Sequence, residues 1–286
     1  VLGESALDAS VSGANNTAVG FESLTANTSG ANNTAVGRRA GKAITTGSSN
    51  TVVGTNSLFA CTTGTQNTAL GQSCMFAITT GSDNVAIGKG ALNTATTADN
   101  NLAIGVDALN ANTSGTQNVA VGNFSLDAAT TADNNVAIGH NSLTANTTGL
   151  ANSALGSKSM QSNTTGQQNT ALGQEALRDN TTANFNTAVG KSALQNNSTG
   201  EQNTAVGASA LTANTSANSN TAVGSNSLTA NTTGAGNNAI GKQSLHVCTT
   251  GSLNNALGVD ALKAVSTGNN NIGIGHDAGR SASPSG

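Results

Sequence analysis

The stretch GFESLTANTSGANNTAV, residues 20–36, decides the fold, because GSNSLTANTTGAGNNAI, residues 224–240, repeats it almost unchanged. The same pattern recurs between and beyond them. With position 1 set at the glycine that follows an aliphatic residue, it falls at Gly3, Gly20, Gly37 and every seventeenth residue to Gly275, without insertion or deletion. The unit reads G-x-x-[SA]-L-x-A-N-T-T-G-x-x-N-T-A-[VIL]. Sixteen full units and a partial last one use up the chain, so a repeat architecture accounts for all of it.

A 17-residue unit is too short for a helical repeat, which needs about 33 residues for two helices. Its Asn, Thr and Gly favour turns, caps and strands over helix. The expectation is an all-β fold: a parallel β-solenoid, or β-roll, with one coil per unit over residues 1–279 and a C-terminal tail or linker to a missing domain over 280–286. NTAV and SL-A are the expected strands of each coil, with positions 1 and 11 at its corners. Position 11 is Ala in four units (Ala98, Ala132, Ala183, Ala217), so that corner does not demand positive φ. Position 1 is always Gly, which requires positive φ or close backbone approach there.

Composition bounds the function. Only 8% of residues are charged, and the net charge is −3, too small to single out nucleic acid or an anionic membrane as partner. No stretch is long and apolar enough to span a bilayer, and none reads as a signal peptide. The chain begins inside a repeat, as a fragment does.

All 23 charged residues fall at positions 2, 3, 6, 7, 12 and 13. Buried charge is costly, so these positions face solvent and the charge-free ones are inside or tightly packed. Position 5 is Leu or Met except at Gly41 and Gly279, and position 17 is Val, Ile or Leu in all sixteen units. Each coil is thus expected to bury two large aliphatic side chains and a few methyls. At about 0.8 kcal/mol per buried CH₂ this offsets little of the ordering cost.

Two polar columns are expected to supplement it. Position 14 is Asn in every full unit: Asn16, Asn33, Asn50, Asn67, Asn84, Asn101, Asn118, Asn135, Asn152, Asn169, Asn186, Asn203, Asn220, Asn237, Asn254 and Asn271. Stacked at the coil repeat, these amides can bond up and down as a structural ladder. Position 10 is Ser or Thr in every full unit and offers a second one. Oligomerisation is the other remedy for a thin core.

NTAVG, NVAIG and NSALG followed by xxSL or xxAL resemble the NSVAIGxxSxA repeats of YadA-type trimeric autotransporter adhesin heads. They resemble more closely the NTAVGxxALxxNTTGxxN and NNxxIGxxAG arrays of phage tail fibres, a match that includes NNNIGIGHDAG at 269–279. The resemblance implies a left-handed parallel β-roll with three chains on one axis. It implies a structural fibre or shaft, first a phage tail-fibre segment supporting attachment to a host surface, with a bacterial trimeric adhesin head as the alternative. Self is then the partner, as a homotrimer, with a host-surface receptor or glycan beyond it, and the location is the virion, the extracellular space or the cell surface. Another extracellular filament protein and an ice-binding solenoid stay open. Ice binding would draw on Thr columns, but positions 9 and 10 are adjacent, so strand alternation turns only one outward.

Chemistry is sparse. His140 and His276 share position 2 but lie eight coils apart, roughly 38 Å, and His246 stands alone at position 6. No metal-binding spacing and no paired carboxylates appear, so no catalytic residue, metal or cofactor is expected, and no enzyme. Asp99 and Asp133 share position 12 two coils apart and read as surface variation, with a cation site as the sharper alternative. Cys61, Cys74 and Cys248 read as small buried hydrophobes, the alternative being a Cys61–Cys74 bridge.

The repeat breaks its own rules in one region. Phe59 and Phe76 hold position 6 of consecutive coils, and Ile44, Cys61 and Ile78 replace the usual Asn at position 8. These five read either as a local thickening of the core or a chain–chain contact, or as an exposed contact patch for a partner, a neighbour or a glycan ring.

Overall fold

A computed structural model describes residues 2–10 and 12–280. Of the expected tail at 280–286, all but Arg280 lies outside the described residues. The chain divides into two compact units, Val1–Thr148 and Gly149–Gly286. The first holds β1 (Thr17–Val19), β2 (Thr34–Val36), β3 (Thr51–Val53), β4 (Thr68–Leu70), β5 (Val85–Ile87), β6 (Leu102–Ile104), β7 (Val119–Val121) and β8 (Val136–Ile138). The second holds β9 (Ser153–Leu155), β10 (Thr170–Leu172), β11 (Thr187–Val189), β12 (Thr204–Val206), β13 (Thr221–Val223), β14 (Asn238–Ile240), β15 (Asn255–Leu257) and β16 (Ile272–Ile274). Within each unit every strand pairs in parallel with the next, one repeat on, as in Thr17↔Thr34 and Thr187↔Thr204. The architecture is a β-solenoid with one 17-residue repeat per coil, and the described residues contain no helix.

Each coil has one strand, not two. Positions 15–17 are extended, whereas the SL-A segment is a run of turns. The cause is visible in the backbone of residues 20–26, where Glu22 and Leu24, at positions 3 and 5, have φ of 53° and 49°. Left-handed residues between right-handed ones coil the chain tightly and cannot extend it. An L-residue in that region costs about 1–2 kcal/mol, and full burial of a leucine returns about 1.5–3 kcal/mol. Leu24, Leu58, Leu92 and their counterparts are fully buried, so the core holds them in this conformation.

Position 1 needs glycine for both expected reasons. Gly37 has φ of +138°, and a Cβ built on it would lie 2.7 Å from the Gly54 carbonyl oxygen in the next coil. Position 11 has no positive φ, which is why Ala98, Ala132, Ala183 and Ala217 are accepted there.

The core is thinner than the charge map implies. Position 16, nearly always Ala, points inward and is buried, so positions 15 and 17 point outward on the same strand. Val36, Val53, Ile87, Leu155 and Leu257, expected inside, lie on the surface at 36–49% exposure. What remains inside each coil is one Leu or Met, small residues at positions 4 and 16, and two polar columns.

Candidate functional site

Among the described residues no group of metal-ligating side chains marks a site. Three features span the coils instead: buried ladders, charged edges and the outer face of the strands.

The Asn column at position 14 is buried and its amides act across coils. Asn33 Nδ2 donates to the Gly47 carbonyl, 2.9 Å away, and Asn33 Oδ1 accepts the backbone N–H of Asn50 at 3.0 Å. The same two bonds recur along the column, for example at Asn203 and Asn220. The hydroxyl ladder forms at position 9 rather than at position 10. Thr28, Thr45, Thr62 and Thr79 each donate to the carbonyl of the next Thr in the column at 3.0–3.1 Å, while Thr46, Thr63 and Thr80 stay exposed. Alternation decides it: only one of two adjacent residues turns toward the stack.

A second Asn ladder runs at position 8, where Asn180, Asn197, Asn214 and Asn231 each donate to the Oδ1 of the Asn one coil before at 2.7–3.2 Å. The sequence signal for it was the absence of charge at position 8. The ladder ends where its next member is not Asn. Asn27 Oδ1, followed by Ile44, and Asn231 Oδ1, followed by Cys248, are buried without a hydrogen bond. Ile44 has its own reason: Gly41 leaves position 5 of that coil empty, and the Ile44 side chain fills the space.

This separates the five residues of the apolar strip. Ile44, Cys61 and Ile78 are fully buried, and only Phe59 and Phe76 reach the surface. Their rings stack at 5.0 Å with 5° between planes, and Lys42 Nζ sits 5.9 Å above the Phe59 centroid. The stack therefore presents edges, with its inner ring faces covered. The cysteines are free and buried, with burial pushing the thiols up to about 11 at Cys61 and Cys248 and about 12 at Cys74. Cys61 and Cys74 form no bridge; Cys61 donates to Gly64 O, and Cys74 to Ala86 O at 3.1 Å.

Asp99 and Asp133 are structural. Their Oδ1 atoms accept the backbone N–H of Ser82 and Thr116, one coil before, at 2.7 and 2.6 Å, as Ser48 Oγ does for Ala31. The histidines stay apart: His246 bonds the Asn226 carbonyl, His140 meets the edge of Phe124, and His276 lies beside Asp277. Among the described residues no group of three or more His, Cys, Asp or Glu is placed to hold a metal.

Asp127 is the misfit among the charged side chains. Position 6 normally donates to the position 3 carbonyl of the preceding coil, as Asn93 does to Ser73 at 2.8 Å and Asn110 to Gly90 at 2.9 Å. A carboxylate has no proton to donate, and Asp127 Oδ1 is buried without a partner. Burial raises its pKa, the backbone N–H groups of Asp127 and Ala128 offset part of the rise, and the nearby charge of Asp107 adds to it. A raised carboxyl pKa disfavours the ionised fold, so this group lowers stability as pH rises through the ordinary carboxylate range of about 4 and upward. Asp127→Asn is expected to stabilise the protein at pH 7 by about 0.5–1 kcal/mol. The gain should fade below pH about 4, where Asp127 is protonated with or without the fold. Thermal melts at both pH values check it; a gain of equal size at low pH would contradict the assignment.

The outer strand face is a coherent apolar surface within each unit. Position 17 lays an unbroken aliphatic row along each unit, and Val85, Leu102, Val119 and Val136 add a second row at position 15 in β5–β8. Near the C-terminal end the face opens into a cavity of about 270 Å³ lined by Asn238, Ile240, Asn255, Ala256, Leu257 and Ile274. Compared with protein-family models and with curated proteins, the chain matches none. No described helix is long and apolar enough to cross a membrane. The surface itself therefore carries the functional argument.

Proposed function

We propose that the chain is a shaft segment of an extracellular fibre and that it works as an assembly of its own copies, packed through the strand face. The observation that carries this reading is the outward row at position 17: sixteen aliphatic side chains in sixteen coils, never charged, on a face that one chain leaves open. Exposed apolar surface of that continuity marks a contact. Positions 2, 12 and 13, which flank the strands, by contrast carry charge freely. The same face presents a row of large apolar groups that the thin core leaves outside, whereas Phe21, Phe124, Phe185 and Leu253 are exposed singly elsewhere, so association through it supplies the burial that a single coil lacks.

Three chains about an axis parallel to the coils would close their faces on one another, the number that the resemblance to tail-fibre and adhesin arrays implies. On that resemblance the fibre belongs to a phage tail and supports attachment to a host surface; a bacterial adhesin head uses the same plan. The role is structural, and the ladders give it stiffness.

Light scattering or sedimentation of the full chain is expected to return three times the chain mass. Ile104→Lys combined with Val121→Lys, both outward on β6 and β7, is expected to yield a folded monomer with unchanged circular dichroism. A stable wild-type monomer would sink the reading.

One observation favours a second use of this face. Thr17, Thr34, Thr51 and Thr68 point outward in register on β1–β4, a regular array of hydroxyls and methyls of the kind that orders water. Thermal hysteresis at micromolar protein, together with a monomeric mass, would favour ice binding over the fibre.

A further inference from the structure

The strand face has two unlike flanks. On the C-terminal side of the strands, position 2 carries Arg38, Lys89, His140, Lys191 and Lys242, each 51 residues, or three repeats, after the last; His276 stands outside that spacing, and Glu4 is the one acid. All five are exposed. On the N-terminal side, positions 12 and 13 carry Asp83, Asp99, Asp133 and Glu201 and no cation. Elsewhere opposite charges meet within the chain: Arg39 and Lys42 on Glu22, Arg178 on Glu175 and Asp179, Lys263 on Asp260, Arg280 on Asp277. Arg38, Lys89, Lys191 and Lys242 take part in none of the ion pairs among the described residues.

The geometry points to a parallel, unstaggered assembly in which the basic flank of one chain lies against the acidic flank of the next, an inference that rests on the proposed association through the strand face. Rotation about an axis parallel to the coil stack brings the C-terminal flank of one face beside the N-terminal flank of its neighbour. An antiparallel pair, related by an axis along the strands, would set base against base and acid against acid. A closed cyclic assembly allows no stagger, so each strand lies at the level of its own copies. Strand β5 is bracketed by Asp83 and Lys89, and β8 by Asp133 and His140. Lys89 of one chain therefore meets Asp83 of the next, and His140 meets Asp133. Asp133 already spends one oxygen on the Thr116 N–H, whereas Asp83 is exposed, so β5 holds the stronger pair. Arg38, Lys191 and Lys242 have no acid on their own strands, which concentrates the pairing at β5 and β8. Within each unit a three-coil spacing, about 14 Å, exceeds the Debye length of about 8 Å at physiological salt, so neighbouring bases at position 2 do not repel appreciably.

The experiment is a charge swap in the full chain. Lys89→Asp and Asp83→Lys are each expected to weaken self-association about tenfold at low salt, since each replaces attraction by repulsion in every interface. The double variant Asp83→Lys with Lys89→Asp is expected to recover to within about threefold, because the reversed pair attracts again. Separately, donor and acceptor dyes on Thr55→Cys, an exposed site on the basic flank, should show strong energy transfer between chains if the copies are parallel. Three results overturn the inference. Reversals without effect, or a swap no better than either reversal, remove the flank pairing while association through the face stands. Absent transfer in an associated sample removes the parallel arrangement. A wild-type chain that does not associate removes the proposed assembly itself.

Discussion

Gly207→Ala is expected to open the solenoid at that coil and to cost at least about 3 kcal/mol. Two independent penalties add. Gly207 has φ of +135°, a conformation that L-residues rarely adopt and that costs about 1–3 kcal/mol when forced. The new Cβ would also lie 2.6 Å from the carbonyl carbon and oxygen of Gly224, which are backbone atoms and cannot rotate away. Relief requires the coils to part, and the strand pairing of β12 with β13 is only three residues long. Hydrogen exchange of Thr204–Val206 and Thr221–Val223, with denaturant melts, measures the effect. Gly200→Ala separates the two penalties: its Cβ would also crowd a backbone carbonyl of the next coil, at Ala217, but Gly200 has no positive φ and its position accepts Ala183 and Ala217 in the neighbouring coils, so it should cost less. Equal effects from the two substitutions would refute the distinction between the corners.

Asn203→Ala is the second large effect. Its Nδ2 donates to the Ala217 carbonyl at 2.8 Å, and its Oδ1 accepts the Asn220 backbone N–H at 3.0 Å. Truncation leaves the Asn220 N–H buried and unpaired at about 1–3 kcal/mol and removes one of the two amide donors on the Ala217 carbonyl, which Asn214 Nδ2 still reaches at 3.0 Å, so the expected loss is about 2–4 kcal/mol. The conservative change Asn203→Asp keeps the acceptor but loses the donor and buries a charge, so it should be no milder at pH 7 and should recover as pH falls and the acid gains a proton to donate. An Asn203→Ala protein that unfolds like the wild type would show that water replaces the amide.

Both results would locate the stability of this fold in polar contacts between coils. The apolar core per coil is one Leu and a few methyls, and half of the aliphatic complement faces outward. Assembly of copies is then part of the stability, and unfolding should depend on protein concentration wherever the strand face is covered.

The repeat itself determined a good deal. An uninterrupted 17-residue period with Asn at one fixed place in every full unit pointed to parallel, in-register stacking, and the Asn column within each compact unit follows from it. Glycine without exception at position 1 announced a corner that excludes a side chain. The tertiary structure alone decided which way the strand faces. Three residues such as Thr34, Ala35 and Val36 alternate in direction, but nothing in their order says whether the odd or the even one points inward; the phase is set by the left-handed turns at Glu22 and Leu24, which the sequence does not announce. Absence of charge was read at position 17 as burial within the coil, yet it is the signature of an outer face that stays free of charge. At position 8 the same absence marked a buried amide ladder. One compositional signal thus has two causes, and only the direction of the side chains tells them apart.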